Sequence, residues 1–199
     1  MTAKKNISAD HVKKLRDQTG ASVMDCKKAL EKSGGDIEQG IEYLKKSGKE
    51  KAGKKAERAT KEGVVAAYIH SNKKIGAMVE IRSETDFVAK NSEFQELAYD
   101  IAMHVAAMAP KFLSFGEVSE KDKKDYEGMV REELATQNKP ADIVEKIVEG
   151  KVRKYFEELS LLEQNFVKNP DVTVGDMIKE KIAKIGENIQ VERMERFEI

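Results

Sequence analysis

The feature that most constrains this chain is a change of period completed between Arg82 and Ser92. Upstream, Gly76 to Arg82 alternates as a strand does. Ala77, Val79 and Ile81 fall on one face, and Met78, Glu80 and Arg82 on the other. Downstream, Phe94, Leu97, Ala98, Ile101, Val105 and Met108 recur at helical spacing until Pro110. The junction is Glu84-Thr85-Asp86-Phe87-Val88-Ala89-Lys90-Asn91, which sets Asp86 and Phe87 at the end of a strand and the mouth of a helix. Connections held on a rigid scaffold are favoured places for function. Phe87 has two readings, a core residue or a wedge offered to a partner. Periodicity leaves both open.

Ahead of the junction, residues 7–47 read as three short helices. Ser8 suits the start of the first, which carries Val12 and Leu15 inward and stops near Gly20. Ser22, with Asp25 three residues on, opens a second through Met24, Cys26, Ala29 and Leu30. Gly34-Gly35 breaks it, and Asp36 caps a third that carries Ile37, Ile41 and Leu44. Three amphipathic helices in about forty residues lie near the lower size limit for folding alone. Between Lys45 and Glu62 there are eight basic residues against three acidic ones, and no large apolar residue follows Leu44 until Val64. That composition predicts a solvated basic linker over 48–62, in part helical, between two domains.

Residues 63–83 predict a β-hairpin turning at Ser71-Asn72-Lys73-Lys74. The helix after the junction spans Ser92 to Ala109, with Ser92 and Gln95 spaced for a capping box. An irregular connection, Phe112 to Val118, leads to helices over 119–138 and 140–162, separated at Lys139-Pro140. Gln164 to Pro170 reads as a loop or short extended piece. Thr173, with Asp176, begins a helix through Ile185, stopped by Gly186. The end alternates again, Ile189, Val191 and Arg193 against Gln190, Glu192 and Met194, as a strand that joins the hairpin. The class is α+β: a three-helix module over 1–47, the linker over 48–62, and over 63–199 a core of a small, about three-stranded, antiparallel sheet with packed helices.

Charge and chemistry narrow the function. Thirty-six basic and thirty-six acidic side chains balance, which argues against gross electrostatic binding of nucleic acid. The one cysteine, Cys26, cannot form an internal disulfide and fits a reducing compartment. No apolar run approaches the ~20 residues of a membrane span, and the first eight residues lack the apolar centre of a signal peptide. The expected location is the cytoplasm. There is no glycine-rich phosphate loop and no nucleophile elbow, and His104 stands alone beside an apolar face. Adjacent acids such as Glu132-Glu133 point about 100° apart on a helix, a poor arrangement for concerted acid–base work. The expectation is a binding protein rather than an enzyme, with no cofactor and no metal.

Two motifs carry a family resemblance. Leu15-Arg16-Asp17-Gln18-Thr19-Gly20-Ala21-Ser22-Val23-Met24-Asp25-Cys26-Lys27-Lys28-Ala29-Leu30 resembles the N-terminal signature of bacterial translation elongation factor Ts. Glu84 to Asn91 looks like that family's second signature, and Gly186-Glu187-Asn188-Ile189 matches the start of its closing strand. The resemblance implies guanine-nucleotide exchange on elongation factor Tu, a translational GTPase. It also implies that the three-helix module is of the ubiquitin-associated type. Arg16, Val23 and Met24 would then meet the GTPase, while Asp86 and Phe87, flanked by Thr85 and Val88, enter near its magnesium and phosphate site. Many members carry glycine and methionine where Ser22 and Val23 stand. The chain resembles the short, dimeric members, so a homodimer through the core, including its C-terminal part, is implied. No membrane and no specific nucleic acid are implied as partners. The alternative is a ribosome- or RNA-associated protein acting through the basic run.

Overall fold

Short polar side chains start the first helices where the sequence places them. A computed structural model of the chain describes residues 7–136 and 140–199. The Ser8 hydroxyl accepts the His11 N–H at 3.2 Å and opens α1 (Ala9–Thr19), which Gly20 closes with a left-handed φ of 65°. Ser22 accepts from the Asp25 N–H at 3.1 Å and opens α2 (Val23–Lys32). Gly34 and Gly35, both at positive φ, turn the chain, and Asp36 accepts from Gln39 at the start of α3 (Ile37–Gly53). Leu15, Cys26, Ala29 and Leu30 form the buried centre of this bundle, with Val12, Ile37, Ile41 and Leu44 packed on it.

The third helix runs six residues past the expected end. The period does not stop at Leu44; it continues through Gly48 and Ala52, both buried, in residues too small to register as hydrophobic. A Cβ at Gly48 would lie 3.1 Å from that of Ala183, so the small residue marks a close approach. The basic run is also tied down. Lys49 pairs with Asp176 at 2.7 Å, Lys51 with Asp25, and the Lys55 ammonium donates to the Gly186 carbonyl.

The hairpin forms from β1 (Glu62–Ile69) and β2 (Ile75–Ser83), then comes one turn of helix, α4 (Asp86–Ala89), and α5 (Ser92–Met108). Asn91, not Ser92, caps α5: its Oδ1 accepts the Glu93 N–H at 2.8 Å, and its carbonyl takes the Gln95 N–H. The Gln95 side chain reaches back to the Ala89 carbonyl at 3.3 Å. Phe94, Leu97, Ala98, Ile101 and Val105 are buried as expected, whereas Met108 is half exposed.

Next come α6 (Glu120–Ala135) and α7 (Ala141–Glu158); α7 is shorter than expected, and the end expected for α6, at 137–138, lies outside the described residues. The Lys139 part of the predicted break lies outside the described residues, as do residues 1–6 of the N-terminal reading. The two helices bury Val130, Leu134, Val148, Val152 and Phe156 between them, with Tyr126 and Tyr155 stacked at 4.0 Å. The chain leaves helix after Glu158, and the Leu161 and Leu162 N–H groups go to the carbonyls of Phe112 and Leu113, at 2.9 and 3.0 Å. Residues 164–170, a loop or short extended piece by sequence, hold β3 (Asn165–Phe166) and the start of β4 (Asn169–Thr173), which pair as a two-stranded antiparallel sheet. Pro170 and Asp171 mask β4 in the sequence, being depleted in strands.

The chain closes with α8 (Val174–Ile185), stopped by Gly186 at φ 93°, and β5 (Ile189–Glu198). The main sheet is antiparallel, with strand order β1-β2-β5. Ala77, Val79 and Ile81 on β2 are buried, as the alternation predicts. On β5 the alternation changes parity. The more buried positions are 189 and 191, then 194 and 196, so Arg193 faces out and pairs with Glu80 at 2.6 Å.

Two compact units arise, neither continuous in sequence. One takes in Met1–Val64 (described from Ile7), Ile81–Glu96 and Asp176–Gln190; the other Val65–Glu80, Leu97–Gly175 and Val191–Ile199.

Candidate functional site

The junction is built from the end of β2 outward. Ser83 is fully buried and its hydroxyl donates to the Thr85 carbonyl at 3.0 Å. Thr85 is extended, and both its N–H and its hydroxyl donate to the Glu187 carboxylate, at 3.0 and 2.7 Å. Beside it, Glu84 accepts the Asn188 N–H at 2.7 Å and pairs with Arg58 at 3.5 Å. Asn188 is buried and its side-chain amide donates to the carbonyls of Ala56 and Arg58. The Gly186-Glu187-Asn188 turn thus clasps the peptide on which α4 begins.

On α4, Ala89 is buried, and positions two apart on a helix point about 200° from each other. Burying Ala89 therefore turns Phe87 outward, and its ring is 82% exposed. Val88 is half-buried. Asp86, the first residue of the turn, pairs with Lys90 one turn later at 2.6 Å. The hydrogen bond from the Lys90 ammonium holds the Asp86 carboxyl below the usual carboxylate range, so it is charged at neutral pH. The site presents a fixed carboxylate beside an uncovered aromatic ring.

The other expected contact residues lie in the helical bundle of the same unit. Arg16 is exposed in the last turn of α1, where a cation suits the helix dipole. Val23 and Met24 open α2 as exposed residues, Met24 at 74%. The connection between α1 and α2 is fixed by Thr19, whose hydroxyl donates to the Leu15 carbonyl at 2.7 Å and accepts the Ala21 N–H at 3.3 Å. Cys26 is buried beneath it, and burial pushes its thiol above the ordinary range.

His104 belongs to the interior. Its Nδ1 accepts the Val167 N–H at 3.2 Å, which leaves the Nε2 proton to be donated to the Gln164 carbonyl oxygen at 2.9 Å. Among the described residues, no three histidine, cysteine or acidic side chains are grouped to hold a metal ion. No described helix is long and apolar enough to cross a membrane.

Glu187 and Asn188 were visible in sequence only as the lead into a closing strand. Their contact with the junction spans about a hundred residues, and the one local signal is a glutamate and an asparagine after a helix-stopping glycine.

Comparison with known proteins finds similar chains. The family model described as "Elongation factor TS" matches residues 4–181. The protein named Elongation factor Ts from Thermosipho melanesiensis is 55% identical over 197 residues, covering 97% of this chain and 98% of that protein. Its namesake from Carboxydothermus hydrogenoformans is 50% identical over 193 residues, with 97% and 89% covered. That from Thermotoga petrophila is 50% identical over 197 residues, with 97% and 96% covered.

Proposed function

The chain belongs to the elongation factor Ts family, and from that premise we propose that it is a guanine-nucleotide exchange factor for elongation factor Tu in translation elongation. Asp86 and Phe87 form the wedge, flanked by Thr85 and Val88, while Arg16, Val23 and Met24 bind the GTPase from the helical module. The observation that carries this reading is the exposed Phe87 ring on a clasped single turn.

The mechanism is a population shift. Elongation factor Tu samples nucleotide-bound and nucleotide-free arrangements, and a ligand that binds the second better displaces GDP. Linkage makes the effect reciprocal, so GDP weakens the factor's own binding by the same ratio. Phe87 supplies the differential term, because its ring leaves water only when the partner opens to receive it. Burying such a ring is worth about 1.5–3 kcal/mol, or roughly ten- to hundredfold in a rate or equilibrium. Asp86 brings a negative charge toward the region that holds the magnesium and phosphates and competes there with the nucleotide's own charge. The chain needs no covalent step and no cofactor.

The test is release of fluorescent GDP from elongation factor Tu. The protein should accelerate release well above the spontaneous rate, and Phe87→Ala should lower that acceleration roughly ten- to hundredfold. Release no faster than spontaneous would sink the reading.

The same premise supports a cytoplasmic homodimer. On the outer side of the main sheet, Val65 and Ile69 of β1, Met78 of β2 and Phe197 of β5 are exposed, beside the Arg193–Glu80 pair. An apolar centre with charges of both signs at its side suits a second copy of this chain.

A further inference from the structure

A four-residue helix cannot hold its own shape, because closing one turn fixes several dihedrals for very few hydrogen bonds. The orientation of α4, and with it of Phe87, must be set from outside. Thr85 occupies the N-cap position but makes no side-chain cap bond. Its hydroxyl and N–H both go to one carboxylate, that of Glu187, at 2.7 and 3.0 Å. The clasp is reciprocal, since the Asn188 N–H donates to Glu84 at 2.7 Å. Each segment's backbone N–H is thus held by an acid of the other. Charge-assisted bonds of this kind are about twice as strong as neutral ones, and two on one carboxylate fix direction as well as distance.

We propose that Glu187 is a positioning residue for nucleotide exchange, holding the α4 turn so that Phe87 reaches the partner without a search over orientations. This rests on the wedge reading of Phe87. In this role Glu187 acts not by contact with the GTPase or the nucleotide but by keeping the free protein in the binding arrangement, which spares the ordering cost on association. Glutamine at the same position retains one acceptor for the Thr85 N–H, and its NH₂ can donate to a rotated Thr85 hydroxyl. Alanine retains neither.

The experiment measures fluorescent GDP release from elongation factor Tu with the unaltered protein, Glu187→Ala, Glu187→Gln, Phe87→Ala and the double variant Glu187→Ala/Phe87→Ala. Amide hydrogen exchange across 84–90 is followed in each free protein. Glu187→Ala should slow release roughly tenfold, the scale for losing hydrogen bonds to a charged group, and Glu187→Gln should recover most of it. The double variant should be no slower than Phe87→Ala alone, because Glu187 acts through that ring. Amide protection should fall at 85–90 and hold elsewhere.

Equal slowing by Glu187→Ala with and without Phe87 would overturn the positioning role, since it would mark a general loss of structure. So would an unchanged rate in Glu187→Ala. If Phe87→Ala itself releases GDP at the unaltered rate, the wedge reading fails instead. The exchange data then decide on Glu187 alone: unchanged protection at 85–90 in Glu187→Ala removes its role in holding the turn.

Discussion

Phe87 and His104 show how differently two residues beside apolar neighbours can be used. Phe87 has almost no contacts to lose on truncation, so Phe87→Ala should move the melting temperature by no more than about 2 °C. A loss several times larger in thermal denaturation would return the ring to the core. His104 is fully buried, and burial pushes its pKa below the usual histidine range, with the Gln164 hydrogen bond only partly opposing. In the unfolded chain a histidine takes a proton near about 6.5; in the folded protein it does so only at lower pH. The unfolded state therefore binds more protons below about 6.5, and stability falls as the pH drops from there toward the folded pKa, with a slope of at most about 1.4 kcal/mol per pH unit. Melting curves between pH 7 and 5 should show that loss, and His104→Gln should flatten it. At this scale sequence reading places His104 as structural, while periodicity leaves Phe87 open between core and wedge and only the family resemblance points to the wedge. The burial of Ala89 on the opposite side of the turn is what exposes the Phe87 ring.

Among the elements, α3 and the hairpin carry the clearest lessons. The end of α3 was misplaced because Gly48 and Ala52 keep the helical period with almost no hydrophobic signal. Side-chain size decides there, since a close helix approach requires small residues. Gly63 at the start of β1 makes the same point in a strand. A Cβ there would press on the Ile81 carbonyl oxygen and sit 2.8 Å from the Arg82 Cα, and backbone atoms in a paired sheet have little room to give. Gly63→Ala should therefore destabilise the protein by about 1–3 kcal/mol, read as an earlier midpoint in urea unfolding. A neutral result would mean that β1 can shift away from β2 at this end. The cap of α5 moved from Ser92 to Asn91 for a related reason. Both residues can cap, and only the path of the chain leaving α4 determines which one has its side chain beside the free N–H groups.

The whole molecule is divided in a way no local signal reports. Each compact unit gathers three separated stretches, so β1, β2, α5, α8 and β5 each pass from one unit into the other. Assembly state belongs to this scale as well. Light scattering should give about twice the 22.3 kDa of one chain, and Phe197→Asp on the outer sheet face should shift the protein toward the single-chain mass. A wild-type mass of one chain at micromolar concentration would contradict the homodimer.

What the sequence determined by itself is whatever depends on neighbours in the chain. The caps at Ser8, Ser22 and Asp36, the breaks at Gly34-Gly35 and Gly186, the strand and helix periods and the two signatures all depend on spacing within a few residues. The tertiary structure decided the rest: the parity change along β5, the pairing of β3 with β4, the outward turn of Phe87, and the clasp of Glu187 on Thr85. A hydrogen bond between residues about a hundred positions apart leaves no periodic trace in either segment. It exists only once packing has brought the two segments together.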